Sequence, residues 1–293
     1  MNTSPLRYPG GKSVITSLIE DIIKENALTR VVYAEPYAGG AGAALNLLAD
    51  GIVDYIQIND ACVAVFSFWK FLTSAPDDFM RMFENTDVNL DEWQKQRTIF
   101  QTKKMPSLEL GFATFFLSRC NRSGILYAGP MGGQDFDGQK NAKYKIDCRF
   151  NKNTLRKQLL KVISLKERIS VFNDDAIDFL KNIAKDNSLV YIDPPYYEKG
   201  KQLYMNFYEH KDHQKLAAFL TENNDMKWIL SYDNVMPIQR LYSDFDLYAF
   251  NLNYSVQSHK KGIELFTHSP AIKMPKKPLI RNSKTSILLE KVL

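Results

Sequence analysis

Ser188-Leu-Val-Tyr-Ile-Asp-Pro-Pro-Tyr-Tyr197 is the stretch that decides the fold. Leu189 to Ile192 is a short β-branched and aromatic run, the composition of a central strand in an α/β sheet. It stops at Asp193, where two prolines forbid both sheet pairing and an immediate helix start. The strand tip is left with a stiff backbone, one carboxylate, the carbonyl of Pro194 and the ring of Tyr196. Ligands of open α/β sheets collect at the carboxyl ends of strands, so this tip is a candidate site. The groups suit an exocyclic amino nitrogen of a nucleobase, whose lone pair is delocalised into the ring. A carboxylate and a carbonyl that each accept one N–H favour a tetrahedral nitrogen with its lone pair turned towards an electrophile, and Tyr196 can stack on the base. The plainer reading is a proline pair that ends a strand, with Asp193 capping the next turn.

Towards the N-terminus, Val31–Ala34 reads as a strand that runs into Glu35-Pro-Tyr-Ala-Gly-Gly-Ala-Gly42 and then an apolar helix. Gly39, Gly40 and Gly42 lack the side chains that would block a tight turn and a close ligand at a helix N-terminus. Their spacing differs from the dinucleotide fingerprint, and no Lys-Ser/Thr follows as in a phosphate loop. Tyr55–Ile58 is the next strand, with Asp60 just past its end. A doubly wound fold places its ribose-hydroxyl acceptor there, so the glycine turn and Asp60 together point to an adenosine-type cofactor. Upstream, Leu6-Arg-Tyr-Pro-Gly-Gly-Lys12 is a loop before a helix whose apolar residues repeat at helical spacing. Lys12 opposes the macrodipole at that helix start and needs solvent or an anion.

Between about Ser67 and Lys166 the strands give way to helical, charged and aromatic sequence, read as a helical domain inserted into the α/β core. The expected division is 1–66 and 167–293 for the catalytic part and 67–166 for the insertion. Within it, Arg119, Arg122, Lys140, Lys143, Lys145 and Arg149 are candidates for phosphates, and Asn121, Arg122 and Tyr127 for base edges. A solvated basic face is the alternative. Arg168–Phe172 returns to strand, and Asp174 or Asp175 then caps a helix. Lys199 and Lys201 form a second basic loop. After a strand at Lys227–Ser231, the chain ends in a hairpin built on a strand near Leu247–Leu252, with Lys260 and Lys261 in its loop.

The 293 residues suit one large α/β domain or one with a smaller domain inserted, and 45% hydrophobic content supplies a full core. A net charge of +5 is compatible with a polyanionic partner without requiring one. The three cysteines form no Cys-x-x-Cys pair, which reads as a reducing compartment and no structural zinc. His210 and His213 share a helical spacing but lack further ligands, so both are expected on the surface and no metal is expected. No apolar run reaches membrane-spanning length and the N-terminus lacks a signal-peptide core, so a soluble, cytoplasmic protein with no membrane association is expected.

Four separated pieces thus stand in one order: Tyr8-Pro-Gly-Gly-Lys12, Glu35-Pro-Tyr-Ala-Gly-Gly-Ala-Gly42, Asn59-Asp60 and Asp193-Pro-Pro-Tyr196. In this the chain resembles the Dam-type N6-adenine-specific DNA methyltransferases over nearly its whole length. The resemblance implies a Rossmann-like S-adenosyl-L-methionine-dependent core with an inserted helical target-recognition domain. It implies a site-specific enzyme that flips an adenine out of double-stranded DNA and methylates its N6 amino group. Tyr8, Lys12, Glu35, Gly39, Gly40 and Gly42 would then shape the cofactor pocket, with Lys12 and Glu35 towards its methionine end. Asp60 would take the ribose hydroxyls, and Asp175 or its neighbour Asp174 would lie near the cofactor's adenine. Asp193, Pro194, Pro195 and Tyr196 would hold the target adenine, Asp193 also facing the cofactor. Asn121, Arg122 and Gly124 look like the Asn-Arg…Gly segment the family uses on DNA, alongside Arg119, Tyr127, Lys199, Lys201, Lys260 and Lys261. The loop from Ala128 to Arg149 does not match the recognition segment of enzymes that read GATC. Membership of a restriction-modification system, with a cognate restriction endonuclease as partner, and the oligomeric state are left open. Cytosine N4, RNA adenine or a protein glutamine as methyl acceptor stays as an alternative, as does a catalytically inactive DNA-binding regulator. A nicotinamide-dependent oxidoreductase would leave Asp193–Tyr196 without a role.

Overall fold

The structure, a computed structural model, describes residues 3–184, 187–198, 207–253, 261–281 and 286–292. Its centre is a mixed sheet of β1 (Val32–Glu35), β2 (Tyr55–Asn59), β3 (Ile169–Phe172), β4 (Ser188–Ile192), β5 (Trp228–Asp233), β6 (Leu247–Asn253), β7 (Lys261–His268) and, on the edge, β10 (Glu290–Lys291), while β8 (Leu279–Arg281) and β9 (Ser286–Leu288) form a separate antiparallel pair. The order is β10-β6-β7-β5-β4-β1-β2-β3. β3, β2, β1, β4 and β5 pair in parallel, and β7 enters antiparallel between β5 and β6. The chain reverses direction across the sheet between β1 and β4, the switch point at which α/β sheets open a crevice. β4 is buried at every position, as its unbroken apolar run requires of a strand covered on both faces.

The sequence expectation of an α/β, Rossmann-like core with inserted helices describes this architecture. Between β2 and β3 stand α3 (Val63–Ser74), α4 (Pro76–Asn85), α5 (Leu90–Thr102), α6 (Leu108–Cys120), α7 (Phe136–Asn141) and α8 (Lys152–Ser164). Their aromatic residues, Phe68, Phe79, Phe83, Phe112, Phe115 and Phe150, pack ring on ring. That packing is continuous with the core under α1 (Thr16–Glu25) and α2 (Gly42–Ala49). Gly111 makes the crossing of α3 and α6 possible, because a Cβ there would lie 2.6 Å from the Ser67 carbonyl oxygen. α3 runs across the boundary expected after residue 66, since one apolar core serves both parts.

Two expectations need correction. His213 is 1% exposed rather than on the surface, and its Nδ1 meets the Tyr232 hydroxyl at 2.7 Å. Lys261 opens β7, opposite Asn253, rather than lying in a loop. Lys199, Lys201 and Lys260 lie outside the described residues. Cys62 and Cys120 are buried and Cys148 is exposed, all as free thiols. Among the described residues no helix is long and apolar enough to cross a membrane, and no three metal-binding side chains cluster.

Candidate active site

A cavity of about 270 Å³ opens at the carboxyl ends of β1, β2 and β4, large enough for a nucleoside-type ligand. The Tyr8–Lys12 loop, the turn from Glu35 to Ala43, Asp60, Asp175, Asp193, Pro195 and Tyr208 are all in its wall. The glycine turn is shaped by Tyr8. At Gly39, with φ +46°, an added Cβ would fall 2.7 Å from the Tyr8 ring. The Gly39 carbonyl accepts from Trp69 Nε1 at 2.9 Å, which ties the turn to α3.

Glu35 ends β1 and turns back onto the first turn of α2, where its Oε1 accepts from the Ala44 N–H at 3.0 Å. That bond favours the carboxylate, but burial outweighs it and pushes the Glu35 carboxyl up to about 8. A raised acid stabilises the fold fully below the unfolded value near 4.5 and loses that contribution as pH rises through about 8. Glu35→Gln, which keeps the acceptor oxygen, should therefore gain melting temperature over the wild type progressively between those pH values. The gain should reach about a few kcal/mol at pH 9 by this linkage. Parallel melting curves of the two proteins, without ligand, across pH 4–9 check it.

Asp60 grips the same turn. Its two oxygens accept from the backbone N–H groups of Gly39 and Cys62, each at 2.9 Å, and each keeps room for a second donor from the cavity. Burial lifts its carboxyl to about 6 against these bonds. Asn59, fully buried, ties three strand ends together by bonding the Pro36 carbonyl and both peptide groups of Asp174. Asp174 is not part of the cavity wall, whereas Asp175 lines it and caps the next helix through the Ile177 N–H at 2.9 Å. Tyr37 and Tyr208, joined by hydroxyls 2.6 Å apart, supply aromatic wall. Tyr208 lies far downstream on an irregular segment, and no local pattern pairs it with Tyr37.

At the tip of β4 the acid is held from three sides. Asp193 Oδ1 accepts from Ser231 Oγ at 2.8 Å and lies 3.3 Å from Lys12 Nζ. Burial raises its carboxyl to about 6, Lys12 pulling it down and Glu264 pushing it up. Asp233, two residues after Ser231 on β5, accepts from the N–H groups of Tyr197 and Glu198 at 2.9 and 3.0 Å. One strand thus anchors both the acid and the turn after the prolines. Asp233→Ala leaves two turn amides without that acceptor and should cut turnover about tenfold or more, with Asp233→Asn keeping part of it. Initial rates of methyl transfer for both variants test this.

Tyr196 is placed differently from the base-stacking role expected of it. Its ring is buried and absent from the cavity wall, and its hydroxyl bonds Lys12 and Glu264. Tyr8, Tyr37, Tyr208 and Pro195 are among the flat surfaces in the cavity wall. Glu264 was not singled out by the sequence, although an acid in the apolar run Ile263-Glu-Leu-Phe266 is an anomaly that period-two reading can flag.

The expected DNA-facing residues divide. Arg119 is not free for phosphate: its guanidinium bonds the Pro5 carbonyl, with Nε at 2.6 Å, and pins the N-terminal segment. Asn121 is fully buried, its amide taking Trp93 Nε1 and the carbonyls of Ile125 and Leu126. Gly124, at φ +74°, leaves room for the Arg7 carbonyl oxygen 2.7 Å from where a Cβ would be. These three build the bend after α6, because a buried amide must satisfy its own hydrogen bonds before reaching a ligand. Arg122 and Tyr127 remain exposed on that bend.

The profile of the D12 class N6 adenine-specific DNA methyltransferases matches residues 8–256. The chain belongs to that family. The matched span takes in the glycine turn, Asp60, the inserted helices and Asp193–Tyr196. Comparison with curated proteins gives no match. Among solved structures, similarity is found to a Listeria monocytogenes protein assigned to the class I S-adenosylmethionine-dependent methyltransferases. It shares 11% identity, the match covering 91% of this chain and 63% of that one, with a TM-score of 0.36. This chain thus spans under two thirds of that protein's length. The rRNA methyltransferase AviRa of Streptomyces viridochromogenes is 11% identical over 97% of this chain and 86% of its own, with a TM-score of 0.29. At these scores the likeness decides nothing, and the fold of this family member rests on its own strand order.

Proposed function

We propose that this member of the D12 family methylates the N6 amino group of adenine in double-stranded DNA, on a nucleotide flipped out of the helix. One observation carries the reading: the Asp193 carboxylate, the Gly39–Gly42 turn and Asp60 share one cavity. S-adenosylmethionine supplies a methyl group already activated on a sulfonium. The residues present fit it: Asp60 faces in with acceptor capacity for a ribose diol. Lys12 stands between Asp193 and Glu264, which together exceed its charge by one, as suits a bound cation.

Asp193 accepts one N–H of the amino group and aligns its lone pair with the methyl carbon, so much of the acceleration is proximity and orientation. The carboxylate also stabilises the positive charge that develops on that nitrogen. Asp193 need not act as a strong base, since the methylated nitrogen is acidic and releases its proton to water. Pro195, with Tyr37 and Tyr208, offers surface against which a flipped base can lie, offsetting an unstacking cost of about a few kcal/mol. The Pro194 carbonyl, expected as a second acceptor, belongs to a buried residue outside the cavity wall, so the role of acceptor is assigned to Asp193. Arg122 and Tyr127 are candidates for contact with the duplex.

The protein, incubated with duplex DNA and methyl-labelled S-adenosylmethionine, should yield labelled N6-methyladenine after digestion to nucleosides. Label in N4-methylcytosine, or label only with RNA, would replace this reading by its rivals. Methylation-sensitive sequencing of DNA from cells expressing the protein would give base and sequence context together.

A further inference from the structure

Glu264 lies in the middle of β7, 1% exposed, opposite Asp233 on β5. A carboxylate this deep is retained only where its charge is answered. Its Oε1 meets Lys12 Nζ at 3.1 Å and also accepts from the Tyr196 hydroxyl. Its Oε2 is buried without a hydrogen-bond partner among the described residues. The same ammonium lies 3.3 Å from Asp193. One cation is therefore shared by two carboxylates, one of which the proposed reaction needs as an acceptor.

We propose that Glu264 is a positioning residue for methyl transfer: it retains the Lys12 ammonium and so leaves the Asp193 carboxylate to the incoming amino group. This rests on the reaction proposed above. The charges explain the need. Lys12, Asp193 and Glu264 sum to one negative charge beside the cavity, which matches one added positive charge. That charge is conserved through the step: the amine lone pair forms the N–C bond, the S–C pair stays on sulfur, and the positive charge passes to nitrogen until a proton leaves for water. Without Glu264, Lys12 and Asp193 would form a closed neutral pair, and the acceptor would have to be taken from the ammonium.

Glu264→Gln is nearly isosteric. Its amide oxygen can keep both donors, and its NH2 replaces an oxygen that is already unpaired, so the fold should be kept. Calorimetry without DNA reads the charge directly. The variant should bind S-adenosylmethionine several-fold more weakly than wild type while its affinity for the neutral thioether product S-adenosylhomocysteine changes less than twofold. Turnover should fall about tenfold or more. The acid limb of the pH–rate profile should move to lower pH, because Asp193 loses a neighbouring anion and keeps a closer cation. The other groups around Asp193, namely Glu35 and Tyr33 on β1, Tyr191 on β4, and Ser231 and Tyr232 on β5, are unchanged by the substitution.

In a Lys12→Gln background, Glu264→Gln should cost less than threefold in turnover, since the ammonium it holds is gone. If Glu264→Gln alone is poorly folded, comparing the double variant with Lys12→Gln still decides, since a loss above threefold between those two would overturn the proposal. Equal loss of affinity for the sulfonium and the thioether, an unmoved acid limb, or multiplicative effects in the cycle would each reduce Glu264 to core structure and overturn the proposal. Absence of adenine methylation by the wild-type protein would instead overturn the function, and the calorimetric comparison would still judge the charge pairing.

Discussion

Asp193→Ala should lower the proposed methyl transfer about a thousandfold, the loss typical of removing a preorganised electrostatic partner from a closed site. S-adenosylmethionine affinity should change much less, because the turn at Gly39 and the acceptors of Asp60 are untouched. The residue follows directly on β4, and Ser231, Lys12 and the Asp233-braced turn all hold it in place. Single-turnover rates alongside cofactor titration separate the two effects. A variant that turns over within tenfold of wild type would remove the central role assigned to this acid. The wild-type profile carries a companion expectation. Burial raises the Asp193 carboxyl to about 6 in the free protein, and only its ionised form accepts without competing as a donor, so kcat/KM should fall as pH drops through about 6.

Asp60→Ala should weaken S-adenosylmethionine binding about a hundredfold, the loss that goes with charge-assisted hydrogen bonds from two hydroxyls. Part of that loss comes through the turn, since Asp60 also bonds the Gly39 and Cys62 amides. Asp60→Asn keeps one acceptor oxygen and should recover part of the affinity. The loss should show in the cofactor KM and in calorimetry, with the DNA KM within about twofold. An equal rise in both KM values would mean that Asp60 supports the fold rather than the ligand.

The proposed specificity for adenine, as opposed to any exocyclic amino group, rests on family membership and not on the cavity's geometry. An acceptor at Asp193 would orient a cytosine amino group as readily. Discrimination would fall to surfaces that receive the base, and the cavity wall includes Pro195, Tyr37 and Tyr208.

The strand Leu189–Ile192, the stop at Asp193-Pro-Pro195, the glycine turn and Asp60 were readable in the chain itself. Each is a local requirement: β-branched residues before prolines, missing side chains where backbone meets ligand, an acid at a strand end. The same logic left Asp174 and Asp175 equivalent, and the Asn59 amide separated them by tying the Asp174 peptide to the sheet. Arg119 and Asn121 look from sequence like polar groups awaiting DNA. Only packing revealed the carbonyls that use their donors: Pro5, 114 residues before Arg119, leaves no trace in composition, and Ile125 and Leu126 come within reach of Asn121 only once the chain bends after α6. Tyr196 changed role for the same reason. Its ring was expected on a base, and the fold sets its hydroxyl between Lys12, from the loop before α1, and Glu264, from β7. Sequence therefore determined where the chain turns and which strand tip carries the acid. Tertiary structure decided which polar groups stay free, since hydrogen bonds and buried charges are satisfied by neighbours in space.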